Sequence, residues 1–176
     1  HGIVGIDVHK PTKPVCTEMG GLAVLLGFVG AFGFTMLLLR DFDFRITSAF
    51  LTIVFVGFVG IVDDLFTLRQ RYKPVLVAFA STPLLLANVG RSEMWFPPFG
   101  LIFLGTAYLI LIPLGVATAS NLTNMLAGFN GLEAGMGTIA CFSLGVILAT
   151  MGRWDSASLA FAFSAAFSAF LFYNWY

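Results

Sequence analysis

Polar residues are so sparse along this chain that they divide it into long apolar runs. Six of these runs are long enough, or nearly so, to cross a membrane: Gly21–Leu39, Ile46–Val62, Val75–Val89, Phe99–Ala119, Leu132–Gly152 and Ser156–Tyr176. A spanning helix needs about 20 apolar residues, within a range of about 17–25. Lipid offers the backbone no hydrogen-bond partners, so each run is expected to be helical. The third run is short and contains Pro83, so it must tilt little, thin the bilayer or borrow residues from its flanks. Pro113 interrupts the fourth and suggests a kink supported by neighbouring helices. Small residues such as Gly27, Gly30, Gly57, Gly60, Gly131 and Gly135 would let helices pack closely. The expected fold class is an all-α membrane protein. It would be a polytopic bundle with six transmembrane helices, forming one partial transmembrane domain over residues 1–176.

Six crossings also sort the polar segments by side. The segments 1–20, 63–74 and 120–131 and the end of the chain share one face, whereas 40–45, 90–98 and 153–155 are short connectors on the other. The busy face holds Lys10, Lys13, Arg69, Arg71 and Lys73 against four basic residues opposite, a weak positive-inside signal. Asp, Glu, Lys, Arg and His are kept out of the span interiors; Glu133 lies just within the start of the fifth. A charge at the bilayer centre costs at least about 2.5–3.5 kcal/mol on insertion scales, which transporters often tolerate because their sites lie near the midplane. A transporter or lipid flippase is therefore the weaker alternative, and any chemistry belongs at a membrane surface.

Composition agrees. Hydrophobic residues make up 59% of the chain and charged residues only 10%, with mean hydropathy +0.94; soluble domains average roughly 45–50% and about 25%. Net charge is zero, so nothing points to a nucleic-acid partner. Cys16, in a presumptive loop, and Cys141, in an apolar run, do not suggest a disulfide framework. With His1 and His9 they show no metal-ligand spacing. The first twenty residues lack a signal-peptide pattern. The chain has no initiator Met and stops at Tyr176 inside an apolar run, so it is expected to be a piece of a longer protein.

Three polar stretches stand out. Asp63-Asp64 ends an apolar run, where a helix dipole disfavours anions; a polar helix stop is the plain explanation. A divalent cation with phosphate oxygens is the alternative, since Mg²⁺ takes one or two carboxylates, waters and substrate phosphates. Arg69, Arg71 and Lys73 follow, with Pro74 suited to the first turn of the next helix. Alone they would read as lipid-headgroup contacts, worth about 1 kcal/mol each; beside two carboxylates a polyphosphate site becomes competitive. The third stretch, ASNLTNMLAGFNGLEAG, has Asn121, Asn124 and Asn130 within ten residues. Asn121 and Asn124 share a helical face, and their amides can bind a metal through oxygen or read a ligand's donors and acceptors. Gly128 and Gly131 leave room for a flat ligand near the backbone. Asn121-Leu122-Thr123 also spells a glycosylation acceptor, but that would put the phosphate-type site on the lumenal side. Spacings for a Rossmann or Walker site are missing.

Taken in order, TEMGG, GIVDDLFTLRQRYK, NLTNMLAGFNGLEAG and the closing FLFYNWY resemble the polyprenyl-phosphate N-acetylhexosamine-1-phosphate transferase superfamily along essentially the whole chain. The branch it is most similar to comprises the archaeal and eukaryotic enzymes that load N-acetylglucosamine-1-phosphate onto dolichyl phosphate. Ala127 and Asn130 stand where the phospho-N-acetylmuramoyl-pentapeptide transferases typically have aspartates, which argues against a peptidoglycan precursor.

The resemblance implies an enzyme of the Mg²⁺-dependent phospho-N-acetylhexosamine transferase type. A polyprenyl or dolichyl phosphate would attack the β-phosphorus of a UDP-N-acetylhexosamine, releasing UMP, as the first step of lipid-linked oligosaccharide synthesis. Among the matched positions, Asn124 would be the Mg²⁺ ligand and Lys73 would stabilise the pyrophosphate. Asp63 and Asp64 would position the lipid phosphate or organise the metal's waters. Gly128 and Asn130 would hold uracil, Asn121 would support Asn124, Glu18 would line the site and Val8 would help close the uridine pocket. The soluble donor would place the busy face in the cytoplasm, in an archaeal plasma membrane rather than the endoplasmic reticulum. A homodimer is compatible with the resemblance, although no stretch of sequence marks an interface. The family's further metal-binding aspartate and basic loop would lie past Tyr176, so the 176-residue piece is expected to be inactive by itself.

Overall fold

A computed structural model describes residues 4–6, 12–13, 15–17, 19–39, 43–66, 68–90, 92–126 and 129–175. Helices α1 (Gly20–Leu39), α2 (Phe44–Phe66), α6 (Leu132–Thr150) and α7 (Trp154–Asn174) follow four of the apolar runs. α1 and α2 run past their apolar stretches, whereas α6 stops two residues early at Thr150 and α7 is shifted two residues toward the N-terminus. Ahead of α1 the chain forms a small antiparallel hairpin, β1 (Val4–Ile6) with β2 (Val15–Thr17), in which Gly5 lies opposite Cys16. Cys16 is thus on a strand rather than in a loop.

The third and fourth runs differ from expectation. The third is two short helices, α3 (Lys73–Ala80) and α4 (Thr82–Leu86), broken at the fully buried Ser81. Pro83 falls in the first turn of α4, where its missing N–H has no partner to lose. The Ser81 hydroxyl instead donates to the carbonyl of Ala78 at 2.7 Å. At about 1.5 Å per residue, Lys73–Leu86 reaches only about 20 Å, short of a hydrocarbon core about 30 Å thick. Among the described residues five helices, not six, are long and apolar enough to cross alone.

The fourth run starts as a hairpin. β3 (Glu93–Phe96) pairs with β4 (Gly100–Phe103), Phe96 opposite Gly100 and Glu93 opposite Phe103. Pro97 and Pro98 block helix formation, and Gly100 takes φ +77° to close the turn. Trp95, Phe99 and Phe103 on this hairpin are exposed, as suits aromatic side chains in the headgroup layer. A 3-10 turn at Gly105–Ala107 leads into α5 (Tyr108–Leu126), which contains Pro113 and passes the expected end at Ala119. Asn121 and Asn124 therefore ride on a helix, as their spacing predicts.

The core is aromatic. Phe28 and Phe32 of α1 are buried, with ring centroids 6.2 Å apart. Both meet Phe50 of α2, at 5.5 and 5.2 Å, and Phe28 also meets Phe163 of α7 at 4.8 Å. Pairs at such separations add about 0.5–1.5 kcal/mol beyond their burial. Outward-facing Leu37, Phe79 and Ile139 are at least 70% exposed, a surface suited to acyl chains rather than water. Gly20 packs on the ring of Phe170 and Gly57 on Leu25. These contacts put the starts of α1, α3 and α6 at the same end of the bundle as the finishes of α2, α5 and α7. The polar segments therefore gather at one face, as the alternation of spans predicts.

Candidate functional site

Asp63 stands in the last turn of α2 and Lys73 begins α3. The Lys73 Nζ lies 2.6 Å from Asp63 Oδ2, with side chains 19% and 20% exposed. The other carboxylate oxygen, Oδ1, accepts the N–H of Leu68 at 3.1 Å. One carboxylate thus secures the connecting loop and neutralises the first charge of the next helix. The ammonium in turn offsets an anion that would otherwise face the negative end of α2. In the same loop the Tyr72 N–H donates to the Arg69 carbonyl at 2.9 Å, and the Arg71 guanidinium lies 5.7 Å from the centre of the Tyr72 ring.

This ion pair opens onto a cleft of about 100 Å³ between α2, α3 and α5. Its polar lining is Asp63, Lys73, Ser120, Asn121 and Asn124. Its apolar lining includes Val56 and Val59 of α2, Val77 of α3 and Ala117 of α5. Val56 lies about two helical turns before Asp63 and Ala117 about two turns before Asn124. The cleft is therefore polar at the busy face and apolar toward the middle of the bundle. Asn121 is half-buried and Asn124 exposed; the amide nitrogen of Asn121 makes a weak 3.9 Å contact with the Met125 sulfur.

Asp64 does not line the cleft. Successive helical residues point about 100° apart, and this side chain is exposed, close enough to Glu133 in the first turn of α6 for the two carboxylates to repel. Asn130 is exposed in the turn between α5 and α6. That turn is held from a distance: the N–H of Gly131 donates to Asn174 Oδ1, 43 residues later, at 2.7 Å. Val8, Glu18 and Gly128 lie outside the described residues. Of the residues singled out in the sequence, Asp63, Lys73, Asn121 and Asn124 converge, whereas Asp64 and Asn130 occupy neighbouring elements.

Three participants escaped sequence reasoning. Ser120 is four residues before Asn124, and a helix drawn through to Leu126 would have put it on the same face. Glu133 lies inside the GLEAG string, but its electrostatic reach to Asp64 depends on where the ends of α2 and α6 come to lie in the bundle. Asn174 shows no local signal. Among the described residues no group of three His, Cys, Asp or Glu could hold a metal. The cleft itself offers the Asn124 amide and the Asp63 carboxylate as oxygen donors, with the Asp64 and Glu133 carboxylates on neighbouring elements; oxygen donors are the kind a hard cation takes beside a phosphate ligand.

The cleft lies within a stretch similar to known proteins. The family model described as glycosyl transferase family 4 matches residues 46–176. A protein of Saccharolobus solfataricus, provisionally named a UDP-N-acetylglucosamine–dolichyl-phosphate N-acetylglucosaminephosphotransferase, is 40% identical over 98% of this chain and 55% of its own. The Dictyostelium discoideum protein of that name is 32% identical over 73% of this chain and 40% of its own. A phospho-N-acetylmuramoyl-pentapeptide-transferase of Halalkalibacterium halodurans is 30% identical over 89% of this chain and 52% of its own. The chain spans about half the length of the curated relatives it matches. With the match running from the start of α2 to the end of α7, and every residue lining the cleft inside it, the chain belongs to glycosyl transferase family 4.

Proposed function

We propose that this chain contributes to the transfer of N-acetylglucosamine-1-phosphate from UDP-N-acetylglucosamine to a polyprenyl or dolichyl phosphate. The observation that carries the reading is the cleft itself, an ion pair and two amides over an apolar floor. Such a site suits a ligand with a phosphate head and a hydrocarbon tail. A transporter is less favoured, because the described charged residues of the helices lie in their end turns.

In the reaction, an oxygen of the lipid phosphate forms a bond to the β-phosphorus of the donor. The bond from that phosphorus to the oxygen shared with the α-phosphate breaks, and UMP leaves with the electron pair. Phosphoryl transfer asks a protein for positioning and charge neutralisation more than for covalent help. Lys73 is placed for neutralisation: its partner Asp63 fixes the ammonium at the cleft mouth, where arriving phosphate oxygens can share it. Asn121 and Ser120 offer hydrogen bonds on the opposite wall. Asn124 would hold Mg²⁺, whose chemical contribution would be to neutralise charge on the pyrophosphate. Asn130 in the following turn would face the uracil end of the donor. The donor is a soluble nucleotide, so the busy face would be cytoplasmic; likeness to an archaeal protein favours the plasma membrane.

UMP release by the full-length protein in lipid tests this reading. Asn124→Ala and Asp63→Asn are each expected to lower the rate by about 10²-fold or more, and removing Mg²⁺ with a chelator should abolish it. Near-wild-type rates in both variants would overturn the assignment.

A further inference from the structure

The turn between α5 and α6 has an unusual anchor. Gly131 is buried and adopts φ +76°, ψ −15°. A Cβ there would meet Leu171 Cδ1 at 3.4 Å and the Trp175 Cα at 3.5 Å, so the turn rests directly on the end of α7. The Gly131 carbonyl accepts the N–H of Gly135 at 2.8 Å and so begins α6. Its own N–H is among the donors that a helix start leaves without an intrahelical partner, and α6 has no side-chain cap of its own. Asn174 supplies the acceptor from the last residue of α7.

This bond is dispensable for holding α6 to α7. The two helices are already joined by the Ser164 hydroxyl donating to the Thr138 carbonyl at 3.0 Å. Gly137 also packs against Phe167 and Gly145 against Phe161. What the Asn174 bond adds is local. It fixes the backbone one residue after Asn130 and two before Glu133, at the join between the helix of Asn121 and Asn124 and the helix that faces Asp64.

We propose that Asn174 is a positioning residue: its Oδ1, by accepting the Gly131 N–H, sets the turn that presents Asn130 to the nucleotide end of the donor. The nucleotide part of this inference rests on the function proposed above. The Gly131–Asn174 contact does not.

The test uses the full-length protein in lipid nanodiscs, with UMP as the probe. In Asn174→Leu, amide hydrogen exchange across 129–133 should speed up about tenfold, the factor expected for one lost hydrogen bond. Exchange in the interiors of α6 and α7 should not change. UMP affinity and the KM for UDP-N-acetylglucosamine should weaken by about the same tenfold factor, with the KM for the lipid phosphate unaltered. Asn174→Leu keeps roughly the side-chain size, and Asn174→Asp keeps an acceptor oxygen without the amide donor; the Asp variant should restore both protection and affinity, which a role that needs the amide N–H would not allow. Unchanged exchange in Asn174→Leu overturns the inference. So does faster exchange with unchanged UMP affinity, and so does an Asp variant that protects the turn yet binds UMP no better than Leu. If the wild-type protein neither binds UMP nor releases it, the functional reading fails and the nucleotide role falls with it; the exchange result then still decides the clasp.

Discussion

Two sets of helices in this protein solve opposite problems. Between α6 and α7, Gly137 and Gly145 let the Phe167 and Phe161 rings settle on the neighbouring backbone; any added Cβ would fall within 2.9 and 2.6 Å of them. A hydrogen bond crosses the pair at mid-height and another closes its end. Between α2 and α5 lies a cleft walled on a third side by α3, which packs on both, and the Asp63–Lys73 ion pair sits at its mouth. Without a hydrophobic drive between helices in lipid, close packing and interhelical hydrogen bonds hold a bundle together. Two walls, α2 and α5, that face each other across a cleft instead of packing leave room for a ligand. On the proposed reading, the tight pair acts as the frame and the helices around the cleft as the working site.

The sharpest way to break this contrast is at Lys73. Lys73→Met in the full-length protein should reduce UMP release by about 10²–10³-fold, the range for losing one preorganised charge partner of a transition state. The unfolding transition in detergent should move far less, since Asp63 keeps its bond from Leu68. Adding Asp63→Asn to that variant should cost little more, because residues that act as a unit are not additive. If the double variant is much slower than the single, the two side chains act separately and the site is not one constellation.

On the frame side, Gly145→Ala forces a methyl against the Phe161 ring and should destabilise the protein by about 1–3 kcal/mol, the usual cost of overpacking. Denaturant unfolding in detergent measures it. Phe161→Leu in the same chain should recover part of the loss, while turnover below the transition stays at the wild-type value. A smaller effect is expected from Ser164→Ala, about 0.6 kcal/mol, the mean for interhelical hydrogen bonds in membranes. A frame variant that slowed turnover as strongly as Lys73→Met would erase the distinction between the two regions.

Much of this organisation is legible in the chain. Four of the six apolar runs became helices within a few residues of their expected ends, because lipid leaves a spanning backbone few other forms. The exceptions have local causes. Pro97, Pro98 and Gly100 turned the head of the fourth run into a hairpin, and Ser81 with Pro83 split the third run into two short helices. The grouping of Asp63, Lys73, Asn121 and Asn124 was also readable, since alternation of spans sends those segments to one face. Asn174 and Glu133 were not, because their partners are set by the rotation and spacing of packed helices rather than by neighbours in sequence.

By itself, the order of apolar and polar residues determined that this is a membrane bundle with its polar segments gathered at one surface, and its motifs indicated the family. Only the tertiary structure decided that Asp63 holds both Lys73 and the Leu68 N–H, that Asp64 stays outside the cleft within electrostatic reach of Glu133, and that Asn174 clasps Gly131. The physical reason is one of range. Partition into lipid is summed along a segment and can be read from composition, whereas a hydrogen bond or ion pair needs atoms within about 3 Å, and that is settled by how the helices pack.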